Sequence, residues 1–174
     1  MFRGTRYNST IALCLFALLL AGCGGGASQD AQSNLDSDLT TARLNVNEAG
    51  DVEIRLDNVG NLYGLQFYIQ FDPAMLQVQD ADLAREGVQI IPGMLPTPDF
   101  AVRNVVDNSQ GTIDYAVVQL SPREPAQGSG VVATIRFQGV GKGISPLTFL
   151  QAKLADPQGH ELPVQLVDTK FKVN

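Results

Sequence analysis

The 174-residue chain has no tryptophan, one histidine and two cysteines, and its charged residues make up only 17% of the total. Each shortage excludes something. Both cysteines, Cys14 and Cys23, fall near the start, so everything downstream must fold without an internal disulfide. The one histidine, His160, stands in Pro157-Gln158-Gly159-His160 and reads as a solvated turn residue, not a base or a metal ligand. Without tryptophan, and with only Tyr63, Tyr68 and Tyr115 beyond residue 41, the chain is poorly equipped for a flat platform that stacks sugar rings. Lys and Arg number 12 against 18 Asp and Glu, which makes nucleic acid and anionic headgroups poor partners. No apolar run is long enough to form a membrane-spanning helix, the longest being Ile11 to Leu20, about ten residues.

That run has flanks with a meaning of their own. Arg3 and Arg6 precede it and Leu20-Ala21-Gly22-Cys23 closes it, the order of a secretory signal. The closing four residues resemble the lipobox of bacterial lipoproteins. The resemblance implies cleavage before Cys23, a lipid on its thiol and attachment to the cell envelope. Gly24 in place of aspartate favours the outer membrane where there are two. Residues 1–22 are then a signal peptide, and their removal takes the basic residues from 12 to 10 against 18 acidic ones, a formal charge of -8. Several acyl chains on one residue hold firmly where one is marginal. Residues 23–41 comprise the lipidated cysteine and a flexible tether: GGGASQDAQSNLDSDLT buries too little apolar surface to order itself. Its reach is about 20–25 Å.

Residues 42–174 are long enough for one core. Val52, Ile54 and Leu56 alternate with charged residues, Leu65, Phe67, Ile69 and Phe71 with Gln66, Tyr68 and Gln70, and Val131, Ala133, Ile135 and Phe137 with Thr134, Arg136 and Gln138. A period of two with one apolar face predicts half-buried strands. Further apolar runs occupy 75–79, 100–106, 112–120, 146–154 and 162–173. Turn residues punctuate them at 58–64, 72–73, 108–111, 121–130, 139–143 and 156–159. Only Asp80 to Glu86 suggests a helical turn. The pattern is that of an all-β jelly-roll sandwich of about nine strands.

Catalytic motifs are wanting. Gly128-Ser129-Gly130 lacks the outer glycine and the helix of a nucleophile elbow. Gly139-Val140-Gly141-Lys142-Gly143 lacks the upstream glycine of a phosphate loop and is followed by strand sequence. Asp36 with Asp38, and Asp80 with Asp82, are D-x-D pairs without the glycine and glutamate of a calcium loop. No residue is assigned a catalytic or metal-binding role, and no cofactor is expected.

One series of segments is more distinctive. Asn58 to Val78, with Phe71-Asp72-Pro73 and Leu76-Gln77-Val78, resembles the loop, strand, aromatic-Asp-Pro turn and Leu-x-Val strand of cohesin modules. Asp107 to Tyr115, Gly130 to Phe137, Ser145 to Phe149 and Leu162 to Val173 resemble later pieces of that family in the same order. The resemblance implies a non-catalytic jelly roll that binds dockerin modules, which carry the calcium themselves, in the setting of polysaccharide degradation. Gly64 and Gln66 stand where the best-known cohesins show Asn and Asp toward the partner, which points away from a standard dockerin specificity. The leading expectation is a lipid-anchored module holding a protein partner at the envelope; direct glycan binding and a structural spacer are the alternatives. If Leu65, Phe67, Ile69 and Phe71 point inward, Gln66, Tyr68 and Gln70 line the outer surface. By its match to the family's partner-binding sheet, this strand is the expected partner site, extended by Arg103 and Gln119.

Overall fold

The computed structural model describes residues 39–174, so the leader, Cys23 and the tether up to residue 38 lie outside the described residues. Thirteen strands follow in chain order: β1 (Thr41–Val46), β2 (Val52–Leu62), β3 (Gly64–Gln70), β4 (Leu76–Val78), β5 (Ile91–Pro92), β6 (Phe100–Asp107), β7 (Thr112–Val118), β8 (Ala126–Ile135), β9 (Phe137–Gly139), β10 (Gly143–Ala155), β11 (Glu161–Leu162), β12 (Gln165–Val167) and β13 (Thr169–Val173). One sheet has the order β12-β1-β2-β8-β5 and the other β11-β10-β3-β7-β6, with β13 joining β10 and with β4 and β9 forming a separate pair. Every pairing is antiparallel except β1 with β12.

The alternation read from the sequence decides what is buried. Val52, Ile54 and Leu56 from one sheet meet Leu65, Phe67 and Ile69 from the other, each 5% exposed or less. Burying a side chain of this kind contributes about 1.5–3 kcal/mol. Ring contacts fill the rest of the space: Phe67 lies 5.3 Å from Phe149, and Phe137 lies 5.3 Å from Phe71 and 5.8 Å from Phe171. Tyr115 on β7 is fully buried, and its hydroxyl donates to the Val132 carbonyl on β8 at 3.4 Å. That bond ties one sheet to the other. Burial holds the phenol far above its ordinary pKa.

The β6–β7 connection shows how the turns are made. The Asp107 carboxylate accepts the backbone N–H groups of Ser109 and Gln110 and the Ser109 hydroxyl. Gly111 then takes a φ of 68°. A Cβ there would run into the Phe71 carbonyl oxygen, so glycine is required both by conformation and by space.

Several expected boundaries move. Asn58 to Gly64 is not a turn: β2 runs on to Leu62, with irregular pairing to β8 after Leu56. Asn58 and Asn61 supply the bend with φ of 55° and 58°, which asparagine tolerates better than most residues. The expected turn 121–130 shortens because β8 begins at Ala126. Asp80 to Glu86 forms no helix; the Asp80 carboxylate instead accepts the N–H groups of Asp82 and Gln89 and folds the segment into turns. The run 162–173 divides into β11, β12 and β13, and β1 and β5 appear where no strand was expected.

Candidate partner-binding face

β3 lies in the middle of its sheet, between β10 and β7. Its inward residues are buried, while Gln66 and Tyr68 are half-buried and Gln70 is exposed. The register sets Gln66 beside Lys153 and Ala116, Tyr68 beside Gln151 and Asp114, and Gln70 beside Thr148 and Thr112. Directly opposed residues on antiparallel strands share a face. These side chains therefore form one continuous outer surface.

Asp114 organises its centre. One carboxylate oxygen accepts Gln66 Nε2 at 3.0 Å and the other accepts Arg103 Nε at 2.8 Å. The network crosses three strands, β3, β7 and β6, and only 17% of the Asp114 side chain is exposed. An ion pair with that much cover fixes geometry more than it adds stability. Gln66 and Arg103 are thus held in place beside Tyr68.

Arg103 is placed as expected, but Gln119 is not. Inward residues on β7 are Ile113, Tyr115 and Val117, and Gln119 continues the same parity past the strand end. It is 4% exposed, its N–H donates to the Tyr63 carbonyl, and its Oε1 lacks a partner among the described residues. Gln119 belongs to the interior and leaves the face. That same parity sets the inward residues of β7: Tyr115 and Val117 point in, and the Val118 side chain faces out.

The face also holds residues that the sequence did not single out. Phe100, Val102 and Val105 on β6 are 58%, 55% and 48% exposed, with Leu150 on β10 at 49%. β6 pairs irregularly with β7 between Ala101 and Arg103, and β10 with β3 between Phe149 and Gln151. Each bulge inserts one residue. Val102 and Leu150 are those residues, and no strict alternation could have revealed them. Asn104 and Val106 instead point inward, the Asn104 amide pairing with both backbone groups of Ile90.

Elsewhere the chemistry is structural. His160 Nδ1 lies 3.0 Å from Asp156, whose carboxylate also accepts the N–H groups of Gln158 and His160. This closes the exposed β10–β11 turn. A cleft of about 300 Å³ between residues 81–92 and β6 carries Asp82 already paired with Arg85. Among the described residues no group of three His, Cys, Asp or Glu is placed to hold a metal ion.

Comparison with known proteins agrees with this architecture. The model of the cohesin domain matches residues 35–173. A type II cohesin domain from the cellulosome of Acetivibrio cellulolyticus superposes with a TM-score of 0.64 at 16% identity, covering 78% of this chain and 95% of that one. A non-cellulosomal cohesin from the archaeon Archaeoglobus fulgidus gives 0.61 at 14% identity, with coverage of 78% and 91%. A type I cohesin–dockerin complex from Clostridium thermocellum gives 0.62 at 21% identity, with coverage of 78% and 99%. No curated protein matches the chain. The jelly-roll sandwich is therefore the observed fold.

Proposed function

This chain belongs to the cohesin family, and from that premise we propose that it is a non-catalytic module holding a dockerin-type protein partner at the bacterial cell envelope, tethered through lipid on Cys23. Cohesins are protein-binding modules, and one of the matched structures is itself a complex with a dockerin. The observation that carries the reading is the outer face of β3, β6 and β7. It combines a half-buried tyrosine, side chains immobilised by Asp114 and a row of exposed apolar residues. Aromatic anchors on such pre-ordered ground are where binding energy concentrates. The lipobox-like Leu20 to Cys23 supports the envelope location, and the family's association with polysaccharide degradation supports that setting.

Two measurements test the reading. Immobilised full-length chain is used as bait against an envelope extract, with Tyr68→Ala as matched bait. A partner retained by the first and lost from the second supports docking at this face, and equal retention contradicts it. Cys23→Ser should move the chain from the membrane to the soluble fraction. A variant that still sediments with membranes would overturn the anchor.

A further inference from the structure

All six arginines of the described residues are ion-paired with carboxylates, and none of the four lysines is. The lysines are also not scattered. Lys142 precedes β10, Lys153 lies near its end, and Lys170 and Lys172 occupy β13. The register sets Lys172 opposite Ile144 and Lys170 opposite Pro146, all four exposed, while Ser145 is buried and the neighbouring Phe171 packs inward on Phe137. Lys142 stands in the bend just before Gly143, the first residue of β10, and is exposed too. The sequence has no basic run, but the fold gathers three of four lysines into one strip.

That strip continues the docking face. Along the outer side of β10, Ile144 and Pro146 lead to Thr148, Gln151 and Lys153, the neighbours of Gln70, Tyr68 and Gln66. Thirteen residues of strand extend about 40 Å. Asp168, two residues before Lys170, accepts the Phe149 N–H, and Asp72, whose own N–H donates to Ser145 Oγ, accepts the Ala74 N–H, each at 2.9 Å; neither is ion-paired with a lysine among the described residues.

We infer that Lys142, Lys170 and Lys172 extend the docking face beyond Gln70 and receive an acidic, partly apolar segment of the protein partner. The inference rests on the proposed docking role. Ile144, 57% exposed and paired across from Lys172, offers contact that a purely polyanionic chain would not use. On a protein of net charge -6, such a strip also orients the partner, because an acidic end is repelled from the remaining surface and drawn to this one.

The test titrates the isotope-labelled full chain, in nonionic detergent, with a short synthetic peptide of leucines flanked by glutamates, following amide NMR shifts. Shifts should fall on 142–146 and 168–173. Affinity should drop at least about tenfold on raising salt from about 50 to about 500 mM, where the screening length shortens to a few Å. The triple variant Lys142→Glu, Lys170→Glu, Lys172→Glu should lose a similar factor, or Lys→Gln at the same positions if the charge reversal unfolds. Arg43→Ala, on the opposite sheet, should leave this peptide's binding unchanged. Shifts confined to other strands, equal binding by a folded triple variant, or equal binding of the glutamine version of the peptide would overturn the proposal. So would polygalacturonate binding as tightly, which would assign the strip to acidic glycan. Strip shifts that move without peptide when Asp30, Asp36 and Asp38 are changed to Asn would assign it to the chain's own acidic segment and overturn it too. If the peptide test fails while Tyr68→Ala still weakens the partner, the docking face stands without this extension.

Discussion

On the outer face of the β1–β2 pair, Arg43 and Arg55 are direct cross-strand neighbours, an arrangement of like charges that is unfavourable by itself. Each is drawn onto a carboxylate, Arg43 Nε to Asp57 at 2.6 Å and Arg55 to Glu53 at 3.1 Å. On the outer face of β3, Asp114 uses Gln66 and Arg103, but Tyr68, Gln70, Phe100, Val102 and Val105 remain without such closure. Both faces come from the same period of two. The first has its charges neutralised in place, and the second leaves amide, aromatic and apolar surface exposed. What distinguishes the proposed docking face is how its outward side chains are paired, not the strand pattern that directs them outward.

Because both faces hang on one core, the largest effect removes the comparison altogether. Phe67→Ala should destabilise the protein by about 3–5 kcal/mol, read as a lowered denaturant midpoint, since Phe67 is fully buried against Phe149. A midpoint unchanged would mean that the shared core is misplaced. Tyr68→Ala sharpens the contrast. It should cost about 2 kcal/mol of partner affinity by calorimetry and less than about 1 kcal/mol of stability, because its ring is only half-buried. Arg43→Ala is the counterpart on the opposite face. Its ion pair is partly exposed, at 46% for the Arg43 side chain and 25% for Asp57, so stability should change by less than about 1 kcal/mol and partner affinity should not change.

The smallest effect concerns acid. Hydrogen bonds from Arg123 and then from the Leu120 N–H hold the Asp99 carboxyl below its ordinary range, and those from Ser109 and Gln110 do the same for Asp107. These two residues bracket β6. A carboxylate whose pKa is depressed by folding stabilises the native state above the unfolded value of about 3.9, and that stabilisation is lost as pH falls through the folded value. Protection of the β6 amides, relative to their intrinsic exchange rates, should therefore fall below about pH 4, before that of β1 and β2, and Asp99→Asn should flatten the dependence. A uniform loss of protection across both sheets would contradict it.

The sandwich was legible in the sequence because period-two alternation is strong in 52–57, 65–71 and 131–137. The segments misread were those where another force overrides it. Asparagines in the left-handed region carried β2 through what looked like a turn. β1 went unseen although Ala42 and Leu44 alternate, because TARLNV offers only two inward apolar residues. Gln66, Tyr68 and Gln70 lie on the outer face as expected, since their orientation follows from parity alone; Arg103 lies there too, but the bulge at Val102, not alternation, decides its orientation. Gln119 failed because a polar residue at an inward position reads as surface. Val102 and Leu150 were missed because bulges are tertiary features without a local signature, and Phe100 and Val105 because an apolar residue at an outward position reads as core. Lys142, Lys170 and Lys172 come together only through the β10–β13 register.

The central claim is that the partner meets β3 and its neighbours and not β1 and β2. A photo-crosslinking amino acid placed at Gln70, exposed at the end of β3, and in a second variant at Asn45, exposed on β1, tests it directly. With the partner present, irradiation should join it to the chain labelled at position 70 and leave the chain labelled at 45 unmodified. Crosslinking from position 45 with none from position 70 would place the docking surface on the other sheet.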